Sequence, residues 1–227
     1  MPGYAIKIET LEVGGLDMHV RSLLDRQQFS DPLGEAERAG ISSATWPLFG
    51  LPWPSGYVLA GVMSTLELRS RRILEVGCGL GLASLVVQRR LGNITASDCH
   101  PLAKSFLAEN LRLNDLPAMK FTTGDWCGPN PSLGQFDLII GSDVLYERGL
   151  PKILSEFIER HSCAIMDVII VDPDRGNRSA FNKCMDVLGF ERSEVRLTQL
   201  PLTHEAIAVP YKGRILSYKR GERVTVF

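Results

Sequence analysis

Glu75-Val76-Gly77-Cys78-Gly79-Leu80-Gly81 places three glycines at alternate positions directly after a short apolar run, Arg72 to Val76. Glycines there permit a tight turn and a close approach of main chain to ligand, and the N-terminus of a following helix favours an anionic group. Leu82 stands where the dinucleotide fingerprint would put its third glycine, so the spacing is G-x-G-x-G, with Glu75 two positions ahead of the first. Asp98 closes a second run, Asn93 to Asp98. A carboxylate there can accept hydrogen bonds from both ribose hydroxyls of an adenosine, or cap the next helix. A fourth run, Phe136 to Gly141, ends in Ser142-Asp143-Val144-Leu145-Tyr146. In open α/β sheets ligands lie beyond the carboxyl ends of strands, so Asp143 and Tyr146 are candidates for the reacting centre. The plainer reading is a helix N-terminus capped by Ser142 or Asp143, with Tyr146 packing.

The elements that must hold these residues can be read from periodicity. Alternating residues around Gly14-Gly15, from Ile6 to Arg21, predict a β-hairpin. A Pro/Gly/Ser-rich stretch from Gln27 to Gly56 contains Trp46-Pro47, Phe49 and Trp53-Pro54, and Gly56 to Leu68 has helical spacing. Strands are expected at Arg72–Val76, Asn93–Asp98, Met119–Thr122, Phe136–Gly141 and Asp167–Val171. Helices are expected from Leu82 to Leu91, from Pro101 at position N1 to about Asn114, from Leu150 to Glu159 and from Arg178 to Leu188. The tail reads as antiparallel strands at Arg192–Leu200, Arg214–Tyr218 and Val224–Phe227. This alternation predicts an α/β fold: a Rossmann-like, doubly wound, seven-stranded and mostly parallel sheet with an N-terminal hairpin extension. The chain divides into a hairpin and Trp-Pro segment, 1–56, and a catalytic domain, 57–227, forming one compact unit.

Composition narrows the partners. The 227 residues carry 25 Lys plus Arg against 26 Asp plus Glu, a formal net charge of -1. That balance gives no global drive toward nucleic acid, so none is expected as a partner, although a local basic patch is not excluded. The N-terminus has no apolar stretch suited to a signal peptide, and no run of 18 apolar residues suggests a membrane helix. Cys78, Cys99, Cys127, Cys163 and Cys184 are odd in number, widely spaced and without a C-x-x-C pair. Free thiols in a reducing cytoplasm are the expectation, with no metal site. His100 reads as a rim residue. His19, His161 and His204 have no convergent partners in the sequence.

The glycine loop resembles motif I of class I S-adenosylmethionine-dependent methyltransferases. Together with Asp98, Asn110, Asn114, Asp125-Trp126 and the Asp143-x-x-Tyr146 element, it is similar to the family 16 (seven-β-strand) protein lysine methyltransferases over about residues 44 to 175. Asp172-Pro173-Asp174-Arg175 looks like the Asp-Pro-x-Arg stretch of the branch that methylates the β subunit of electron transfer flavoprotein, and could equally be a simple turn. The resemblance implies S-adenosyl-L-methionine as cofactor, S-adenosyl-L-homocysteine as product and a protein substrate. It implies cofactor contacts from Trp53, Glu75, Gly77, Gly79, Gly81, Asp98, Asp125, Trp126 and Ser142. In that pattern Asp125 accepts from the adenine amine and Trp126 packs on the ring; a solvent-facing turn with a half-buried Trp is the alternative. Asp143 orients the incoming lysine and Tyr146 lines its channel. Trp46 and Trp53 belong to the covering segment, or anchor the core. Arg175 either meets a substrate carboxylate or holds its loop.

Two further readings stay open. The acceptor could be a small amine or another protein side chain, since the glycine loop and Asp98 serve any such acceptor. The chain could also be a binding module that reads S-adenosylmethionine or a partner protein without catalysis.

Overall fold

A computed structural model describes residues 3–13, 15–200 and 210–221. Strands β1 (Ile6–Val13) and β2 (Leu16–Leu23) form the expected hairpin, in register from Ile6↔Leu23 to Val13↔Leu16. A short helix α1 (Glu35–Arg38) and a 3-10 turn, Trp46–Gly50, lead to α2 (Pro54–Thr65). Then follow β3 (Arg72–Val76), α3 (Leu82–Arg89), β4 (Asn93–Asp98), α4 (Ala103–Leu113), β5 (Lys120–Thr123) and β6 (Phe136–Ser142). The chain continues through α5 (Leu150–His161), β7 (Ser162–Asp172), α6 (Arg178–Val187), β8 (Glu191–Gln199) and β9 (Pro210–Arg220). The main sheet has seven strands in the order β5-β4-β3-β6-β7-β9-β8. Its first five run parallel, and β9 is antiparallel to both β7 and β8. The expected strand at Val224–Phe227 lies outside the described residues, as does His204.

Period-two alternation explains why the central strands read as unbroken apolar runs. Ile73, Leu138, Ile140, Ile169 and Val171 face one core, shared with the hairpin, α2, α3 and α4. Leu74, Val76, Ile139, Val168 and Ile170 face the other, under α5 and α6. Each such side chain contributes about 1.5–3 kcal/mol when fully buried, so two covered faces fix the register of β3, β6 and β7.

The β3–β6 boundary is the switch point, because β4 lies on one side of β3 and β7 on the far side of β6. Ligands of this fold bind beyond the carboxyl ends of strands at such a point. Gly77 follows β3 there, and Asp143 follows β6.

Two expectations are corrected. Pro101 is not the first residue of a helix: it lies in a turn, and α4 begins at Ala103 with Leu102 as N-cap. The cause is local, since the His100 amide donates to Asp98 Oδ1 (2.8 Å) and the Leu102 amide to His100 Nδ1 (3.2 Å). His100 is not at a rim. Only 4 % of it is exposed, and its ring stacks on Phe49 with centroids 3.7 Å apart.

Candidate active site

The glycine loop takes its shape from its neighbours. Gly77, Gly79 and Gly81 all have positive φ, at 60°, 52° and 76°. Gly79 shows why a side chain is unwelcome: a Cβ there would lie 2.8 Å from the Phe49 carbonyl oxygen. Its amide donates to Asp98 Oδ2 (2.8 Å). Asp98 therefore ties the end of β4 to the middle of the loop while its other oxygen holds the His100 amide. Each carboxylate oxygen has two acceptor sites, so capacity for ribose hydroxyls remains. Burial pushes the Asp98 carboxyl above its ordinary range, and the three amides of His100, Gly79 and Cys99 pull it down.

Glu75 is buried behind the loop. Its Oε2 accepts from the Ser84 amide (2.9 Å) and from the Ser84 hydroxyl, which holds the first turns of α3 against β3. Burial raises its carboxyl to about 7, against the Ser84 hydrogen bonds. Asn110, fully buried, donates to the Leu80 carbonyl (3.2 Å) and accepts from the Arg21 amide (2.7 Å). One side chain thus joins loop, α4 and hairpin.

Trp126 flanks the loop, its ring edge 4.0 Å from where a Gly77 Cβ would stand. Asp125 is exposed and accepts from the Cys127 amide (2.9 Å), so it also shapes its own turn. On the covering side, the Trp53 indole N–H donates to the Leu48 carbonyl (2.7 Å), and Trp53 is the N-cap of α2. The first turn of α2 abuts the acceptor end: a Gly56 Cβ would lie 3.9 Å from Ser142 Oγ. Trp46 anchors the core, buried among Tyr4, Phe29, Phe49 and His100.

The helix-cap reading of Asp143 and Tyr146 does not hold, because the helix that follows them begins only at Leu150, with Gly149 as its N-cap. Asp143 instead has φ 55°, a left-handed conformation that Asp tolerates better than most residues. Its amide donates to the Val171 carbonyl (2.8 Å), fastening β6 to β7 at their ends. Its carboxylate is held by Arg175 in a bidentate pair, Nε to Oδ1 at 2.5 Å and Nη2 to Oδ2 at 2.6 Å. Arg175 is thus brought to Asp143. Tyr146 is nearly half exposed, at 48 %. Its phenol is pushed up to about 12, first by loss of water and then by Cys99, Glu147, Asp98 and Asp143.

Two residues, Ser55 and Tyr211, were missed by sequence reasoning, and Asp172 was named there only as part of the Asp-Pro-x-Arg stretch. The Tyr211 hydroxyl, on β9, lies 2.9 Å from Ser55 Oγ, in the first turn of α2. Burial raises the Tyr211 phenol, the Ser55 hydrogen bond lowers it, and the charges of Asp143, Asp172 and Asp174 raise it further. Asp172 ends β7 and is 1 % exposed. Its position at a strand end was the available signal; Ser55 and Tyr211 had none, being distant in sequence.

Residues 49–184, more than half of the chain, match the family described as lysine methyltransferase. The chain belongs to the lysine methyltransferase family. Its relatives include an electron transfer flavoprotein beta subunit lysine methyltransferase from Xenopus laevis, 26% identical over 59% of this chain and 55% of the relative. Another is the protein N-lysine methyltransferase METTL21A of Danio rerio, 32% identical over 49% of this chain and 56% of the relative. The chain spans about half the length of these curated relatives. Among solved structures, a precorrin-6y C5,15-methyltransferase from Geobacter metallireducens covers 72% of this chain and 88% of its own, with TM-score 0.59 and 14% identity. Magnesium protoporphyrin IX methyltransferase of Synechocystis, solved with bound S-adenosylmethionine, covers 74% of this chain and 80% of its own, with TM-score 0.57 and 19% identity. These likenesses establish the seven-stranded methyltransferase fold. The cofactor of the lysine methyltransferase family is S-adenosylmethionine, and the donor set fits it: a left-handed glycine loop, a carboxylate with spare acceptor capacity at β4, and an indole beside Gly77.

Proposed function

We propose that this chain transfers a methyl group from S-adenosylmethionine to the side-chain amine of a lysine in a protein substrate. The observation that carries the reading is Asp143. A carboxylate is held in a left-handed turn at the carboxyl end of β6, three residues before the half-exposed Tyr146. The reading also rests on membership of the lysine methyltransferase family.

Bound at the Gly77–Gly81 loop, S-adenosylmethionine supplies a sulfonium methyl that needs no further activation. The chain then has to position the nucleophile. Asp143 accepts a hydrogen bond from the lysine nitrogen and orients it. It does not serve as general base, because a carboxylate beside an ammonium stabilises the charged, unreactive form. Tyr146 lines the entrance and orders the amine through its hydroxyl. The five cysteines, described as free thiols, support a place in a reducing compartment such as the cytoplasm.

Incubation with methyl-labelled S-adenosylmethionine and a cell extract, followed by identification of the labelled residue, tests this. Label on a protein lysine is expected, with the rate reduced roughly 100-fold or more in Asp143→Asn if an orienting, charge-assisted contact is lost. Label confined to small metabolites overturns the protein acceptor, and an undiminished rate in Asp143→Asn overturns the role of that carboxylate.

A further inference from the structure

Asp143 already holds a cation. Its two oxygens are both engaged by Arg175, whose side chain is 42% exposed while that of Asp143 is only 13% exposed. The guanidinium thus stands between solvent and the carboxylate assigned to the acceptor amine. Arg175 takes one of the two acceptor sites on each Asp143 oxygen, and with so little of that carboxylate exposed an arriving ammonium has to compete with the guanidinium for access.

A second carboxylate stands nearby without a cation. Asp172 is buried, and among the described residues no side chain donates to either of its oxygens, which only the main-chain amides of Asp174 and Arg175 approach. A buried carboxylate without a cationic partner is costly when charged. Burial accordingly raises its carboxyl, and Asp174 and Asp143 raise it further, against the pull of the Arg175 and Asp174 amides. The other guanidinium at this end, Arg214, is engaged by Asp174 (3.1 Å) and Glu194 (3.5 Å), and Glu194 is also paired with Arg178. Neither Arg214 nor Arg178 is thus paired with Asp172.

We propose that Arg175 is a placeholder for the acceptor ammonium: it occupies Asp143 in the resting site and passes to Asp172 when the amine arrives. The inference deepens the lysine reading and rests on it. Arg175 is therefore a positioning residue that also sets specificity. Every amine has to displace a bidentate guanidinium, so apparent affinity is lowered by the fraction of time the site is occupied. A lysine embedded in a protein brings additional contact surface that offsets this. A free small amine does not.

The test uses the full chain saturated with S-adenosylhomocysteine and n-butylammonium chloride as the probe, followed by the NMR signal of the Arg175 Nε–H. In the unaltered protein the signal should move as the probe saturates, together with the Asp172 carboxyl carbon. Arg175→Met should bind n-butylammonium about tenfold tighter or more, as removal of a placeholder present nine-tenths of the time requires. Asp172→Asn, which removes the receiving carboxylate, should bind it several-fold more weakly while Arg175→Met and Asp172→Asn keep their affinity for S-adenosylhomocysteine. An Arg175 signal unmoved at saturation, or an Arg175→Met protein that binds the probe no tighter, overturns the proposal. The two readings fail separately. If lysine is not the acceptor, no protein lysine is labelled although the probe still displaces Arg175. If the placeholder is wrong, lysine labelling proceeds and Arg175→Met gains nothing.

Discussion

The side-chain amide of Asn114 pairs with both backbone groups of His19. Its Oδ1 accepts from the His19 amide (2.9 Å) and its Nδ2 donates to the His19 carbonyl (2.7 Å). With Asn110 accepting from the Arg21 amide, α4 supplies β2 with the partners a third strand would have given it. The hairpin is thereby docked by helix side chains. Asn114→Ala should lower stability by about 1–3 kcal/mol, since it leaves these groups to find water or nothing. Hydrogen exchange at the His19 and Arg21 amides would report it. Unchanged protection at His19 would show that the apolar contacts alone hold the hairpin.

Asp98 links cofactor affinity to loop shape. Asp98→Ala removes the acceptor for the Gly79 amide together with the carboxylate assigned to the ribose. Binding of S-adenosylmethionine, measured by calorimetry, should weaken by roughly 1–3 kcal/mol, about fivefold to 150-fold. Retained affinity would mean that the ribose is held elsewhere.

Glu75 and His100 give opposite contributions to the pH dependence of stability. Glu75 has its carboxyl raised from 4.5 to about 7, so the native state binds the extra proton between these values. Its contribution is fully present below the unfolded value and is lost as pH rises through about 7, a change of roughly 3 kcal/mol. His100 is lowered from 6.5 to about 4 by burial, so acid destabilises the native state as pH falls through that interval. Thermal unfolding of Glu75→Gln from pH 4.5 to 8 should show less loss of stability toward neutral pH than the parent. Parallel curves would sink the assignment.

Tyr211 and Ser55 should be energetically coupled across 156 residues of sequence. Tyr211→Phe and Ser55→Ala each leave a buried hydroxyl without its partner. The double variant should cost less than the two single changes together, with a coupling of about 0.5–1.5 kcal/mol in denaturant unfolding. Strict additivity would mean that the two hydroxyls do not depend on each other.

Much of this architecture is legible in the chain itself, for identifiable reasons. Unbroken apolar runs such as Val168 to Val171 announce strands because both faces are covered, and Gly77, Gly79 and Gly81 announce a left-handed loop because few other residues adopt one. Pro101 misleads because proline also suits turns, and His100 takes the Leu102 amide and delays the helix. The burial of His100 depends on Phe49, and the place of Tyr211 on Ser55. Neither contact leaves a periodic trace in sequence. Asp143 and Arg175 are each visible as polar residues after a strand, but their pairing requires β6 and β7 to lie side by side.

The strand order carries a consequence for biosynthesis. β8 pairs with β9, and β9 comes between β8 and β7 although it follows β8 in the chain. During vectorial synthesis the half of the sheet carrying Gly77 to Gly81 and Asp98 can assemble early. β8 has no seat until residues 210–220 emerge, and those same residues deliver Tyr211. A nascent chain would thus gain the means to grip a nucleoside well before it completed the wall beside Asp143, which withholds chemistry from unfinished molecules.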